Sequence, residues 1–296
     1  MRTVVCALLV VMCTLGCQKE PTSPTFQSGD FLFAETAPLP SIIDESSGLE
    51  TAANEEFWSF NDSNGAAALY RFDTTGTLNQ VLNVTNATNV DWEDIAQDES
   101  GNLYVGDFGN NDNDRRNLIV YKINAMEAGA NSNAAPASRI NFSFPEQIAF
   151  PPADADAFFD VESMFARGDF LYLLTRDRSD PFVGKTILYR LPNATGTHDA
   201  TFITKFFTNT NKDKEQITAA DISPDGRTLA VISKEKIWLF QNIVDDGFFA
   251  PERLELDLPV QLDMEGVVFT DDCTLYLSNE DKPRKPAVLY RIKLCE

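Results

Sequence analysis

Short apolar runs separated by polar turns fill the chain, and no stretch repeats with helical periodicity. The strongest runs are Phe57-Trp58-Ser59-Phe60, Leu103-Tyr104-Val105, Leu171-Tyr172-Leu173-Leu174, Leu229-Ala230-Val231-Ile232 and Leu275-Tyr276-Leu277. A recurring phrase and then a turn lead into each run. The phrase reads acid-x-Glu-x-apolar in Asp91-Trp92-Glu93-Asp94-Ile95, Asp160-Val161-Glu162-Ser163-Met164 and Asp263-Met264-Glu265-Gly266-Val267. Glu45-Ser46-Ser47-Gly48-Leu49 and Thr218-Ala219-Ala220-Asp221-Ile222 are degenerate copies. The copies recur at intervals of roughly 45 to 70 residues, a spacing that belongs to the blades of a propeller. The expected fold is all-β, a five-bladed β-propeller.

Four strands, a to d, fit each blade. Blade one takes 46–52, 56–61, 67–73 and 78–85, with Asn61-Asp62-Ser63-Asn64-Gly65 and Asp73-Thr74-Thr75-Gly76 as turns. Blade two takes 90–97, 102–107, 117–123 and 138–146, with 125–137 as a loop. Blade three takes 159–166, 170–175, 185–191 and 200–208, and blade four 217–223, 227–233, 236–241 and 252–258. Blade five has 263–270, 273–279 and 287–294, and then the chain stops one strand short. The run Phe31-Leu32-Phe33-Ala34-Glu35-Thr36 is left over. Docked as the outer strand of blade five, it closes the ring and covers a sheet edge.

Composition adds limits. The 296 residues include 43% hydrophobic positions and 22 Phe, enough for one large core, at residues 31–296. A net charge of −21 argues against nucleic acid as a partner and suits a soluble acidic protein of the cell envelope. The first 16 residues pair a short positive region with an apolar run of signal-peptide length, too short to span a membrane. The run ends Thr14-Leu15-Gly16-Cys17, which resembles a bacterial lipoprotein box and marks Cys17 for lipidation. Residues 17–30 then serve as the lipidated end and tether. The expected location is a bacterial envelope membrane or cell surface, with the lipid as the only membrane contact. Pairing Leu277 with Tyr290 across the loop 280–286 brings Cys273 within one residue of facing Cys295. A disulfide is expected there in preference to two buried thiols.

Strand a is innermost in a propeller, so Ser47, Glu93, Glu162, Ala220 and Glu265 are expected to converge on the axis. Three glutamates brought together repel one another, and a hard divalent cation such as calcium, which takes about six to eight oxygens, relieves this. The expected metal ligands are Ser47, Glu93, Glu162 and Glu265. Capping of turns is the other role open to these acids, and it suits Asp91, Asp160 and Asp263 better than the glutamates. The series Ser, Glu, Glu, x, Glu resembles the central ring of the calcium-activated nucleotidases (apyrases), five-bladed propellers with axial calcium. Ser47-Gly48-Leu49, Leu103-Tyr104-Val105-Gly106 with Phe108-Gly109, Glu162-Ser163 and Glu265-Gly266-Val267-Val268-Phe269 carry the likeness. The Ser-Gly-Leu and Asp-x-Glu phrases also resemble phytase-like esterases and quorum-regulator-controlled propeller lipoproteins. Two departures stand out. Ala220 occupies a ring position where the nucleotidases supply Ser, with Thr218 or a water as a substitute, and Asn61-Asp62 replaces paired acids.

The b–c loops gather much of the basic content on the same face: Arg115, Arg116, Arg176, Arg178, Lys234, Lys236, Lys282, Arg284 and Lys285. Arg176 and Arg178, with Asn61, Asp62 and Asp107, are expected to bind a small anionic ligand through the guanidinium fork. If the protein is an enzyme, Asp62, Asp107 and Arg176 are the catalytic candidates. The single His198 excludes triads and multi-His metal sites unless it reaches the centre, and no phosphate loop or nucleophile elbow occurs. Trp58, Tyr104, Tyr172 and Tyr276 read as propeller core rather than a sugar platform. The resulting expectation is a calcium-pinned envelope binding module, with a calcium-dependent phosphohydrolase as the alternative.

Overall fold

The computed structural model describes residues 26, 31–53, 55–129, 132–249, 253–283 and 286–295. The expected signal segment and Cys17 lie outside these residues, as do Arg284 and Lys285. β1 (Leu32–Pro38) opens the described fold. Blade one follows as β2 (Ser46–Ala52), β3 (Glu56–Asn61), β4 (Ala68–Asp73) and β5 (Leu78–Val84). Blade two is β6 (Trp92–Gln97), β7 (Leu103–Asp107), β8 (Leu118–Ile123) and, after α1 (Ala125–Gly129) and β9 (Ala134–Ala135), β10 (Ser138–Ser143). Blade three is β11 (Asp160–Arg167), β12 (Phe170–Arg176), β13 (Lys185–Pro192) and, after β14 (Gly196–Asp199), β15 (Thr201–Phe207). The short α2 (Lys212–Glu215) leads to blade four: β16 (Ile217–Ile222), β17 (Leu229–Ser233), β18 (Lys236–Phe240) and β19 (Arg253–Asp257). β20 (Met264–Asp271), β21 (Thr274–Asn279) and β22 (Val288–Lys293) make blade five.

The five sheets form a five-bladed propeller, and β1 completes the last blade in the order β1-β22-β21-β20. Its pairing with β22 runs antiparallel from Leu32 opposite Lys293 to Pro38 opposite Val288. The first strand of each blade packs against those of its two neighbours, β2 against β6 and β20 included, so the ring is closed. Aromatic side chains fill the seams between blades. Phe60 meets Trp92 edge-on at 5.5 Å, Phe144 meets Tyr189 at 4.6 Å, and Phe206 meets Trp238 at 6.1 Å. Cys273 and Cys295 are joined by a disulfide with Cα atoms 5.5 Å apart, and Leu277 pairs with Tyr290 between them.

Four features depart from the sequence-based expectation. Residues 125–137 are not all loop: α1 lies there, and β9 pairs in parallel with β5, tying blade two's excursion to blade one. The segment holding His198 is likewise a strand, β14, which pairs in parallel with β10 of the preceding blade. Both are too short to carry a sequence signature of their own. Phe26, placed in the tether, is buried in the core of blades four and five, its N–H donating to Gln241 Oε1 at 2.7 Å.

The fourth departure concerns the ring. Pairing of each first strand with its neighbour slips at one point: between Trp92 and Asp94, Val161 and Ser163, Ile217 and Ala219, and Met264 and Gly266. Glu93, Glu162, Thr218 and Glu265 are therefore the extra residues of four β-bulges, which re-aim a side chain out of the regular alternation. The blade-four member of the ring is Thr218 rather than Ala220, which pairs regularly with Val231. In blade one the slip falls across Gly48-Leu49, and Ser47 keeps its pairing with Phe60. Gly48 takes φ 65, and a Cβ there would sit 3.0 Å from the Ile95 nitrogen of blade two.

Candidate functional site

The bulged residues and the b–c loops meet on one face, where five turns crowd together. Three carboxylates, Asp62 from blade one and Asp91 and Glu93 from blade two, each bring an oxygen to within 4.8 Å of the others. Asp62 sits at the end of β3, its backbone N–H bonded to Glu45 O at 2.8 Å and its carbonyl accepting from Asn89 Nδ2 at 2.9 Å. Asp91 is held through its backbone, whose N–H donates to Asp107 Oδ1 at 3.2 Å and whose carbonyl accepts from Gly109 N at 3.2 Å. Gly109 lies flat against the group: a Cβ at this position would collide with Glu93 Oε1 and Asp91 Oδ2. No described residue donates a hydrogen bond to the Asp91 or Glu93 carboxylate, although Glu93 is only 8% exposed.

The energetic cost of this crowding appears in the pKa values. Burial pushes Asp62 up to about 6, helped by the charges of Glu280 and Glu45. Asp91 is pushed to about 6 by burial and then by Asp62 and Asp160. Glu93 is raised well above the carboxylate range by burial, with Glu162, Asp62, Asp160 and Asp91 adding repulsion. An all-oxygen, all-anionic donor set of this kind fits a hard divalent cation.

The other axial acids are compensated by protein cations. Arg176 Nη1 bonds Glu162 Oε2 at 2.9 Å, and Arg178 Nη2 bonds Glu162 Oε1 at 2.8 Å. Arg178 Nε also reaches Asp160 Oδ2 at 2.5 Å. Burial on its own would lower the Arg176 pKa, but Glu162, Glu265 and Asp160 outweigh it and raise it. Glu265, pushed to about 8 by burial, is opposed chiefly by Arg176. A guanidinium therefore neutralises Glu162 and faces Glu265, the acids for which the sequence suggested calcium. Ser47 is turned elsewhere, its Oγ donating to the Glu93 carbonyl at 2.7 Å. Of the four expected ligands, Glu93 alone belongs to the unneutralised group.

The remaining sequence candidates are largely committed to neighbours. Asn61 spans Ile42 O at 2.8 Å and Glu45 N at 3.3 Å with its side-chain amide. Asp107 is buried and bonded to Arg115 Nη2 at 2.8 Å, while Arg115 Nη1 donates to Gly109 O at 2.6 Å. Arg115 thus braces the loop that carries Gly109. Lys234 and Lys282 pair with Asp263, at 2.7 and 3.8 Å. Lys236 stands on β18 and pairs with Glu215 at 3.2 Å. Asp160 accepts from the Asn110 N–H at 2.6 Å and so caps a turn, whereas Asp91, assigned the same role from the sequence, presents its carboxylate to the acid group. Thr218 Oγ1, buried in a residue 1% exposed, has no hydrogen-bond partner among the described residues. The spacing Asp91-x-Glu93 and the Phe108-Gly109 turn were the available signals for the acid group. That they converge on Asp62 required the closed ring.

No protein-family model and no curated protein matches the sequence. Solved structures do match in shape. The PQQ-bound aldose sugar dehydrogenase of Streptomyces coelicolor superposes with a TM-score of 0.53 at 8% identity, over 89% of this chain and 98% of that one. A gluconolactonase of Xanthomonas campestris gives 0.51 at 11% identity, over 94% and 96%. A streptogramin B lyase gives 0.44 at 9% identity, over 89% and 98%. At these identities the likeness establishes architecture and carries no chemistry with it. The matches to the sugar dehydrogenase and the gluconolactonase support a β-propeller, and the order of the five sheets gives the number of blades: the chain is a five-bladed β-propeller.

Proposed function

We propose that the protein is a binding module of the cell envelope that holds a divalent cation at Asp62, Asp91 and Glu93 and presents it to a small anionic ligand. The observation that carries the reading is the convergence of three carboxylates from two blades without a described hydrogen-bond donor to two of them. Charging all three in a half-buried setting is costly, and a cation turns the repulsion into attraction. Oxygen donors in an irregular arrangement favour calcium, whose coordination geometry is tolerant, among the common ions. A bound cation with open coordination positions would attract a carboxylate or phosphate, as expected of this face. The lipid anchor at Cys17 rests on the Leu15-Gly16-Cys17 sequence, and with it the placement on an envelope membrane.

Hydrolysis of a phosphate ester is the second reading, in line with the nucleotidase and phytase-like resemblance. What favours it is the acid group itself, which would hold the cation that orients a phosphate and an attacking water. Arg176 and Arg178 are engaged by Glu162 and Asp160, which weighs toward binding over catalysis.

A thermal melt of residues 25–296 with EDTA and with millimolar calcium tests the proposal. The expected result is a clear upward shift in calcium, lost in Asp91→Asn and retained in Glu265→Gln. No shift in the parent protein sinks the cation reading. Loss of the shift in Glu265→Gln would move the ion back to the axis. Calcium-dependent phosphate release from a nucleoside diphosphate would put hydrolysis ahead of binding.

A further inference from the structure

The opposite face of the propeller holds a cleft of about 630 Å³ between blades one and five, reaching inward to the Pro224 turn of blade four. That volume falls within the range of about 300–1,000 Å³ common to small-molecule sites. Two cations line it. Arg291 and Lys293 alternate along β22 and so share one face of the sheet, opposite Tyr276 and Thr274 of β21. Both are exposed, and among the described residues neither forms an ion pair or a side-chain hydrogen bond. In a chain with 45 acidic and 24 basic residues, two adjacent uncommitted cations in a cleft are unusual. Three acids also line the cleft: Glu56 pairs with Arg71 at 3.1 Å, Asp271 accepts from the Cys273 N–H at 2.7 Å, and Glu55 is exposed to solvent.

The rest of the lining is hydroxylic and aromatic. Thr270 and Thr274 offer hydroxyls at the rim. Tyr276 is only partly buried, unlike Trp58, Tyr104 and Tyr172, and its ring is backed by Phe57 at a centroid distance of 4.8 Å. Tyr276 packs against the core, as the sequence suggests, and also lines the cleft. β22 is an inner strand, covered on its far edge by β1, so the two cations stand on a backbone fixed from both sides.

We propose that this cleft between blades one and five is a second binding site, for a hydroxylated carboxylate of the uronic-acid class. Arg291 takes the carboxylate through its planar fork, with Lys293 adding a second charge. The threonine hydroxyls bond the sugar hydroxyls, and the apolar face of the sugar ring lies on Tyr276. The site is on the face away from Asp62, Asp91 and Glu93 and does not depend on a cation there. Calorimetric titration with sodium glucuronate in EDTA tests it, with glucose at matched ionic strength as the comparison. Glucuronate is expected to bind saturably and glucose at least tenfold more weakly. The double variant Arg291→Ala/Lys293→Ala, shown by its melt to be folded, is expected to lose the preference. A glucuronate titration that does not saturate, equal binding of glucose, or an unchanged preference in the double variant overturns the proposal.

Discussion

Gly109 and Asp91 make the clearest argument at the scale of single residues. Glycine is required at 109 because its neighbours are carboxylate oxygens, and any Cβ would push Glu93 and Asp91 out of their shared space. Gly109→Ala is expected to abolish the calcium-induced melting shift and to cost about 1–3 kcal/mol by overpacking, measured by urea unfolding in EDTA. The pH dependence has a defined sign. Asp62 and Asp91 are raised to about 6, so the folded metal-free protein keeps protons that the unfolded chain has already released. Their charging lowers stability as pH climbs from about 4 to 6, with no further change above. Asp91→Asn in EDTA should therefore match the parent's Tm near pH 4 and exceed it above pH 6.5. The calcium-induced shift should grow across the same interval, because protons compete with the ion for these oxygens.

At the scale of the strand, the bulge is the unit that repeats. It places Glu93, Glu162, Thr218 and Glu265 at equivalent points, and the sequence phrase Asp-x-Glu marks three of the four. The fourth lacks the phrase, and in the run Thr218-Ala219-Ala220 either register suits the apolar residues. Pairing of Ala220 with Val231 decided it. Thr218 Oγ1 is buried without a partner, so Thr218→Val should be neutral or stabilising, read from the urea midpoint. Neighbouring first strands are also stapled by side chains. Asp94 Oδ2 accepts from the Met164 N–H, and Asp221 Oδ2 from the Phe269 N–H, each at 2.7 Å. Asp94→Ala strands a buried amide and is expected to cost about 1–3 kcal/mol. The strand positions themselves were legible, since a period-two pattern bounded by turn residues has few other solutions. β9 and β14 were not, because a strand of two to four residues pairs only when a neighbouring edge is already in place.

Across the whole molecule, closure is the dominant device. β1 supplies blade five's outer strand, and the disulfide of Cys273 to Cys295 ties the end of β21 to the end of the chain. Reducing that bond is expected to cost about 2–4 kcal/mol, measured by unfolding with and without reductant. Removing residues 1–38 should cost more, because it exposes the edge of β22 and takes away the buried Phe26. The fold also sorts which charges are paired: Arg115, Arg176 and Arg178 are bonded to acids on one face, while Arg291 and Lys293 line the cleft on the other.

The sequence by itself determined the number of blades, the four main strands of each, and the strand that completes the last blade. These follow from alternation, turn chemistry and a counting argument, all of which are local or additive. Only the tertiary structure decided which charges face which. Arg176 and Arg178 come from the end of one strand and the loop after it, and fold back onto Glu162 and Asp160 of the preceding strand. Asp62 meets Asp91 and Glu93 across a blade boundary. Electrostatic partnership depends on separations of a few ångströms set by side-chain direction and by packing between blades, and no spacing along the sequence encodes that distance.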